Sequence, residues 1–128
     1  MSHKTILVIG ALLGALGVMI GAFGAHGLAK ILEANGRTET FETAVKYHMY
    51  HALAMLVTGL ILFNVPSKFI HLAGLFFLIG VLIFSGSLYI LSLTNIKWLG
   101  AITPIGGLFL IAGWLSLGHG IFHYWPKK

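Results

Sequence analysis

Apolar residues fill this chain in four long runs, and polar residues are confined to the short breaks between them. Thr5 to His26 contains no Asp, Glu, Lys or Arg. A polar stretch, Gly27 to Thr40, follows. The second run covers about Phe41 to Phe63 and ends at Asn64-Val65-Pro66-Ser67. The third covers about Lys68 to Leu93 and ends at Asn95-Ile96-Lys97-Trp98. The fourth covers about Gly100 to Tyr124. A hydrocarbon layer ~30 Å thick is crossed by ~20 helical residues, so each run is long enough to span it. The expectation is an all-α membrane fold, with four antiparallel transmembrane helices in a compact bundle and residues 1–128 as one integral membrane domain.

The breaks carry their own signals. Leu28, Ile31 and Leu32 suit an amphipathic turn lying at the interface. Asn35-Gly36 ends it with a left-handed residue. Thr40 is expected to cap the second helix, with Glu42 in its first turn. Ser67 caps the third, and Thr103-Pro104 reads as a cap followed by a first-turn proline. Tyr124 to Lys128 forms an aromatic and basic anchor.

Glycine supplies the second pattern. Gly10, Gly14, Gly17, Gly21 and Gly24 are spaced four, three, four, three, which puts all five on one helix face. Gly106, Gly113 and Gly120 repeat every seven residues, and Gly86 lies between two serines. Such residues weaken a helix in water but let helices approach closely in lipid. They also offer a face for a homo-oligomer. A cleaved leader ending near Ala22-Phe23-Gly24 is the alternative for the first run, but a discarded segment has no need of a glycine stripe.

Composition agrees with a lipid solvent. Of 128 residues, 58% are hydrophobic and 9% charged, against about 25% charged in soluble domains. The net charge of +5 is spread singly near the ends of the runs. That favours membrane lipids as partners and argues against nucleic acid. Lys4, Lys68, Lys127 and Lys128 balance Lys30, Arg37, Lys46 and Lys97 across the two sides. Cytoplasmic termini are favoured because Lys46 already lies in a helix, one turn after Glu42. With no cysteine, disulfides, thiolate catalysis and thiolate metal sites are excluded.

The candidate chemistry gathers at the start of the second span. His26 ends the first helix, and Glu42, Tyr47, His48 and His51 follow within two and a half turns of one another. His48 and His51, three apart, share a helix face. One reading is a proton or small-ligand site, since ionisable groups near membrane depth suggest function. A second is a metal or haem site in which His26 faces His48. The third makes these residues interface bridges between helices, with polar tips at the wet rim. His119 and His123 lie beside Tyr124 and Trp125, where amphipathic rings are expected. Met49 and Met55 suit packing rather than copper, and Trp114 suits an aromatic core or lipid contact. Ser85 and Ser87 have no base nearby for nucleophilic chemistry. No catalytic residue, metal or cofactor is assigned.

Four ordered motifs resemble a known family. They are Gly21-Ala22-Phe23-Gly24-Ala25-His26-Gly27-Leu28, Thr43-Ala44-Val45-Lys46-Tyr47-His48-Met49-Tyr50-His51-Ala52-Leu53, Phe84-Ser85-Gly86-Ser87-Leu88-Tyr89 and Thr103-Pro104-Ile105-Gly106-Gly107. Together they resemble the small bacterial inner-membrane family of unknown function typified by YgdD and YwdK (DUF423 or UPF0382 type), which is similar to a small human transmembrane protein. The resemblance implies a four-helix protein of the inner (plasma) membrane and brings no activity. The expected function is therefore a non-enzymatic helical bundle or assembly module, with a proton-coupled or small-solute transporter, or a metal- or haem-binding protein, as alternatives.

Overall fold

A computed structural model describes residues 1–127; Lys128, part of the expected basic anchor, lies outside the described residues. The elements are α1 (His3–His26), α2 (Ala29–Asn35), α3 (Thr38–Asn64), α4 (Lys68–Thr94), a 3-10 turn (Lys97–Ala101) and α5 (Thr103–Tyr124).

The helix ends follow local chemistry. Ser2 caps α1 by accepting from the Thr5 amide at 3.1 Å, so α1 starts two residues before the expected span. Ser67 caps α4 by accepting from the Phe69 amide at 3.2 Å. Gly36 takes the left-handed conformation (φ 63°) that closes α2, where a side chain would be strained. Two expected caps are displaced. α3 begins at Thr38 rather than after Thr40, because the chain re-enters a helix directly after the Gly36 turn. Thr103 is already helical; its hydroxyl meets Ser87 Oγ at 2.7 Å instead of capping.

Large apolar side chains both fill the core, with Ile6, Met55, Ile70 and Phe77 fully buried, and cover the outside. Leu12, Val18, Leu60, Leu82, Leu108, Leu115 and Phe122 are exposed, Phe122 at 83%. Gly10, Gly17, Ala44, Ala52, Ala73, Ser85, Ser92, His48 and His51 are buried. In water this would put large apolar patches on the surface; in lipid it leaves the exposed side chains in a solvent as apolar as themselves. α1, α4, and α5 with its preceding turn, are long and apolar enough to cross a membrane. α3 has 27 residues, about 40 Å at ~1.5 Å each, but Glu39, Glu42, Lys46, Tyr47, His48, Tyr50 and His51 make its first half polar.

Close packing runs α1 on α3, α3 on α4, and α4 on α5. The glycine faces of α1 and α5 therefore take separate partners. Gly10, Gly17 and Gly24 meet Leu56, Met49 and Phe41 in turn, so α3 descends as α1 rises. Gly106, Gly113 and Gly120 meet Phe84, Phe77 and Ile70, so each seven-residue step on α5 answers a seven-residue step back along α4. Gly21 lies against Val45. Two expected packing positions differ: a Cβ added at Gly14 or Gly86 would meet nothing within 4 Å on another helix. At the Gly14 level Leu13 fills the interior, and at Gly86 the flanking Ser85 and Ser87 turn inward. Gly59, Gly74 and Gly80, outside the glycine pattern, receive Leu7, Ile6 and Leu110.

Met1 meets His71, His3 meets Phe63, and Phe69 meets Tyr124, so both ends of the described chain lie at one end of the fold. At the other end Asn35 donates to the Ser92 and Leu93 carbonyls at 3.0 and 3.3 Å, and Arg37 Nε donates to Asn95 Oδ1 at 3.0 Å.

Candidate functional site

The polar face of α3 lies where three other helices meet it. His48 is 2% exposed and engages both ring nitrogens. Nε2 lies 2.7 Å from the Leu13 carbonyl oxygen on α1, and Nδ1 lies 2.8 Å from the Tyr89 hydroxyl on α4. A carbonyl only accepts, so Nε2 carries the proton, and neutral Nδ1 accepts from the Tyr89 hydroxyl. Gly17 keeps α1 close to α3 here: a Cβ there would lie against Met49 Sδ, and 3.4 Å from His48 Nε2.

His51, one turn on, has the opposite arrangement. Nδ1 lies 2.7 Å from the Tyr47 carbonyl, and Trp114 Nε1 on α5 lies 3.1 Å from Nε2. Indole only donates. His51 Nε2 must therefore accept, and Nδ1 carries the proton. Phe77 packs edge-on to Trp114 with ring centroids 5.1 Å apart and lies against His51 at 5.5 Å. Tyr47 stacks on His51 at 6.1 Å and touches Phe84 at 4.7 Å.

Serines complete the set. Ser85 Oγ donates to the Ala44 carbonyl at 2.8 Å, joining α4 to α3. Ser87 joins α4 to α5 through Thr103. Among the described residues no buried side-chain nitrogen or oxygen lacks a partner. An unpaired one would cost about 1–3 kcal/mol, and more in lipid.

The structure brings Tyr47, His48 and His51 together but not with His26 or Glu42. His26 is exposed at the end of α1, thirteen residues beyond the carbonyl that His48 reaches, or ~20 Å along the helix. The expected convergence of His26 and His48, and with it the haem pairing, does not occur. Nor do the two α3 imidazoles sit at the wet rim. Leu13 is the eleventh of 24 residues in α1, and Trp114 the twelfth of 22 in α5, so His48 and His51 lie at mid-helix depth. The reason is the early start of α3, ten residues before His48.

Glu42 belongs to a different feature. With Glu33, Thr38 and Lys46 it edges a groove of about 510 Å3 at the end of the fold that holds α2. A second groove, about 530 Å3, is lined by Tyr47, Tyr50, His51, Phe84 and Trp114 on the outer face of α3, α4 and α5. At the opposite end His119 and His123 are exposed with ring centroids 4.3 Å apart, and Phe69 lies against His119. Among the described residues no three His, Asp or Glu are grouped to hold a metal ion.

Sequence reasoning missed Tyr89, Trp114 and the Leu13 carbonyl. Two of them had a signal. Ser85 and Tyr89 are four apart on one face of α4. A lone indole N–H in the middle of an apolar helix needs an acceptor.

Residues 20–107 match the family described as "Protein of unknown function (DUF423)". That range includes His48, His51 and Tyr89 and stops short of Trp114. The UPF0382 membrane protein SH2409 of Staphylococcus haemolyticus is 49% identical over 114 residues, covering 89% of this chain and 92% of that protein. The UPF0382 membrane protein YwdK of Bacillus subtilis is 43% identical over 118 residues, covering 89% and 93%. A UPF0382 membrane protein of Haemophilus influenzae is 42% identical over 122 residues, covering 95% and 96%. No solved structure matches.

Proposed function

The chain belongs to the DUF423 family of membrane proteins, and on that premise we propose that it is a non-enzymatic helical assembly module of the inner (plasma) membrane. In this reading α1, α3, α4 and α5 cross the bilayer as an antiparallel bundle with both termini cytoplasmic. The observation that carries it is the use made of the interior polar groups. His48, His51, Ser85, Ser87, Thr103 and Trp114 each make a helix-to-helix hydrogen bond, and the second bonds of His51, Ser87 and Thr103 go to nearby backbone carbonyls. A binding or catalytic site would instead leave donors or acceptors aimed into a cavity.

α3 belongs among the spans despite its polar start, because His48, His51 and Thr58 are buried inside the fold and the charged Glu39, Glu42 and Lys46 lie in its first three turns, within reach of the rim. The open faces at Gly14 and Gly86 leave room for lipid or a second copy.

The chain has no cysteine, so single cysteines report topology without background. With cysteine at Lys4, Arg37, Lys68, Lys97 or Lys127, a membrane-impermeant maleimide applied to intact cells should label only the Arg37 and Lys97 variants. Labelling of Arg37 and Lys68 from the same side would remove α3 from the spans and overturn the reading.

A further inference from the structure

The rim groove is built from parts that its neighbours on the fold do not need. All three carboxylates of the chain, Glu33, Glu39 and Glu42, lie between α2 and the first turns of α3. Two of them, Glu33 and Glu42, edge the groove together with one cation, Lys46. Apart from Thr38, the rest of its lining is small or apolar and includes Gly21, Gly24, Ala25 and Val45. Its volume of about 510 Å3 falls within the ~300–1,000 Å3 of ligand sites.

The order of the charges along α3 selects a ligand. α3 starts at the rim with Thr38 and runs inward, so Lys46 lies one turn deeper than Glu42, ~6 Å along the axis. Glu33, on α2, stays at the rim. A groove edged by two carboxylates and one cation does not suit an anionic lipid. An aminophospholipid carries the complementary order, with phosphate next to the glycerol and ammonium outermost.

We infer that the groove between α1, α2 and α3 binds the headgroup of an ethanolamine phospholipid, with its ammonium between Glu33 and Glu42 and its phosphate on Lys46. The small side chains of α1 leave room for the glycerol and the first acyl carbons. Choline fits poorly because it has no N–H to donate to the carboxylates. Glycerol headgroups fit poorly because they bring no cation. The inference rests on the proposed bundle in placing α2 at the membrane surface and in running α3 inward from it.

The test is a titration of the full chain in neutral detergent with dioleoyl phosphatidylethanolamine, phosphatidylcholine and phosphatidylglycerol, read by native mass spectrometry. The ethanolamine lipid should bind about tenfold more tightly than the other two, as charge-assisted hydrogen bonds imply. E33Q/E42Q, at exposed positions, should erase that preference, and K46Q should weaken the ethanolamine and glycerol lipids alike. Equal binding of all three by the parent chain, or a preference that survives E33Q/E42Q, overturns the inference. Retention of acyl-free phosphoethanolamine as tight as that of the lipid would also overturn it, because the apolar wall would then contribute nothing. Failure here in a chain whose cysteines still label as four spans removes the site and leaves the bundle.

Discussion

His48 donates to the carbonyl of Leu13 at 2.7 Å, across a narrow gap between α1 and α3 where Gly17 leaves room for Met49. A side chain on one helix thereby bonds the backbone of another, at the depth where each backbone carbonyl normally serves its own helix. The contact explains which glycines matter. Gly17→Leu should lower the thermal midpoint in detergent, corresponding to about 1–3 kcal/mol of overpacking. Gly14→Leu and Gly86→Leu, which face open space, should change it little. Equal losses at all three positions would mean that the cost does not come from this gap, since leucine is the better helix former.

The severest glycine should be Gly106. A Cβ there would meet the backbone nitrogen of Phe84 and lie 2.7 Å from its Cα. Backbone cannot swing aside, so α4 and α5 must separate. At Gly21 the nearest atom is a valine methyl at 3.2 Å. Gly106→Ala is therefore expected to cost about 3 kcal/mol, the upper end of overpacking losses, and Gly21→Ala far less. Thermal unfolding of the two variants side by side checks the order.

His51 and Trp114 form a further interhelical bond, at 3.1 Å. A double-mutant cycle with His51→Leu and Trp114→Phe separates that bond from ring packing, since phenylalanine keeps the contact with Phe77. A coupling of about 0.6–1.7 kcal/mol is expected, the range found for hydrogen bonds between membrane helices. Strictly additive losses would show that the indole N–H and the imidazole do not act together.

Much of the fold was legible because lipid imposes simple rules. Long apolar runs gave α1, α4 and α5, Ser67 and Gly36 gave their turns, and the seven-residue glycine spacing gave the faces of α1 and α5. Depth was harder to read. Thr40 looked like a cap, which placed His48 and His51 near the water line. The real start at Thr38 and the match of Leu13 and Trp114 to these imidazoles carry them to mid-helix. Pairing across helices was not legible at all. Nothing in the local pattern tells His48 to choose Tyr89 over His26, because that choice depends on how α1, α3 and α4 pass one another. Gly14 failed for the same reason: periodicity assigns a face, but only the partner's surface decides whether the face is filled.

The most direct test is the proton position on the two α3 imidazoles. Nitrogen-15 NMR of histidine-labelled protein in detergent, assigned with His48→Gln and His51→Gln, reads which ring nitrogen carries hydrogen. The account requires two neutral rings in opposite forms at neutral pH: His48 protonated on Nε2 and His51 on Nδ1. The same tautomer in both, or a charged imidazolium at His51, would mean that these residues do not fasten α3 to Leu13 and Trp114.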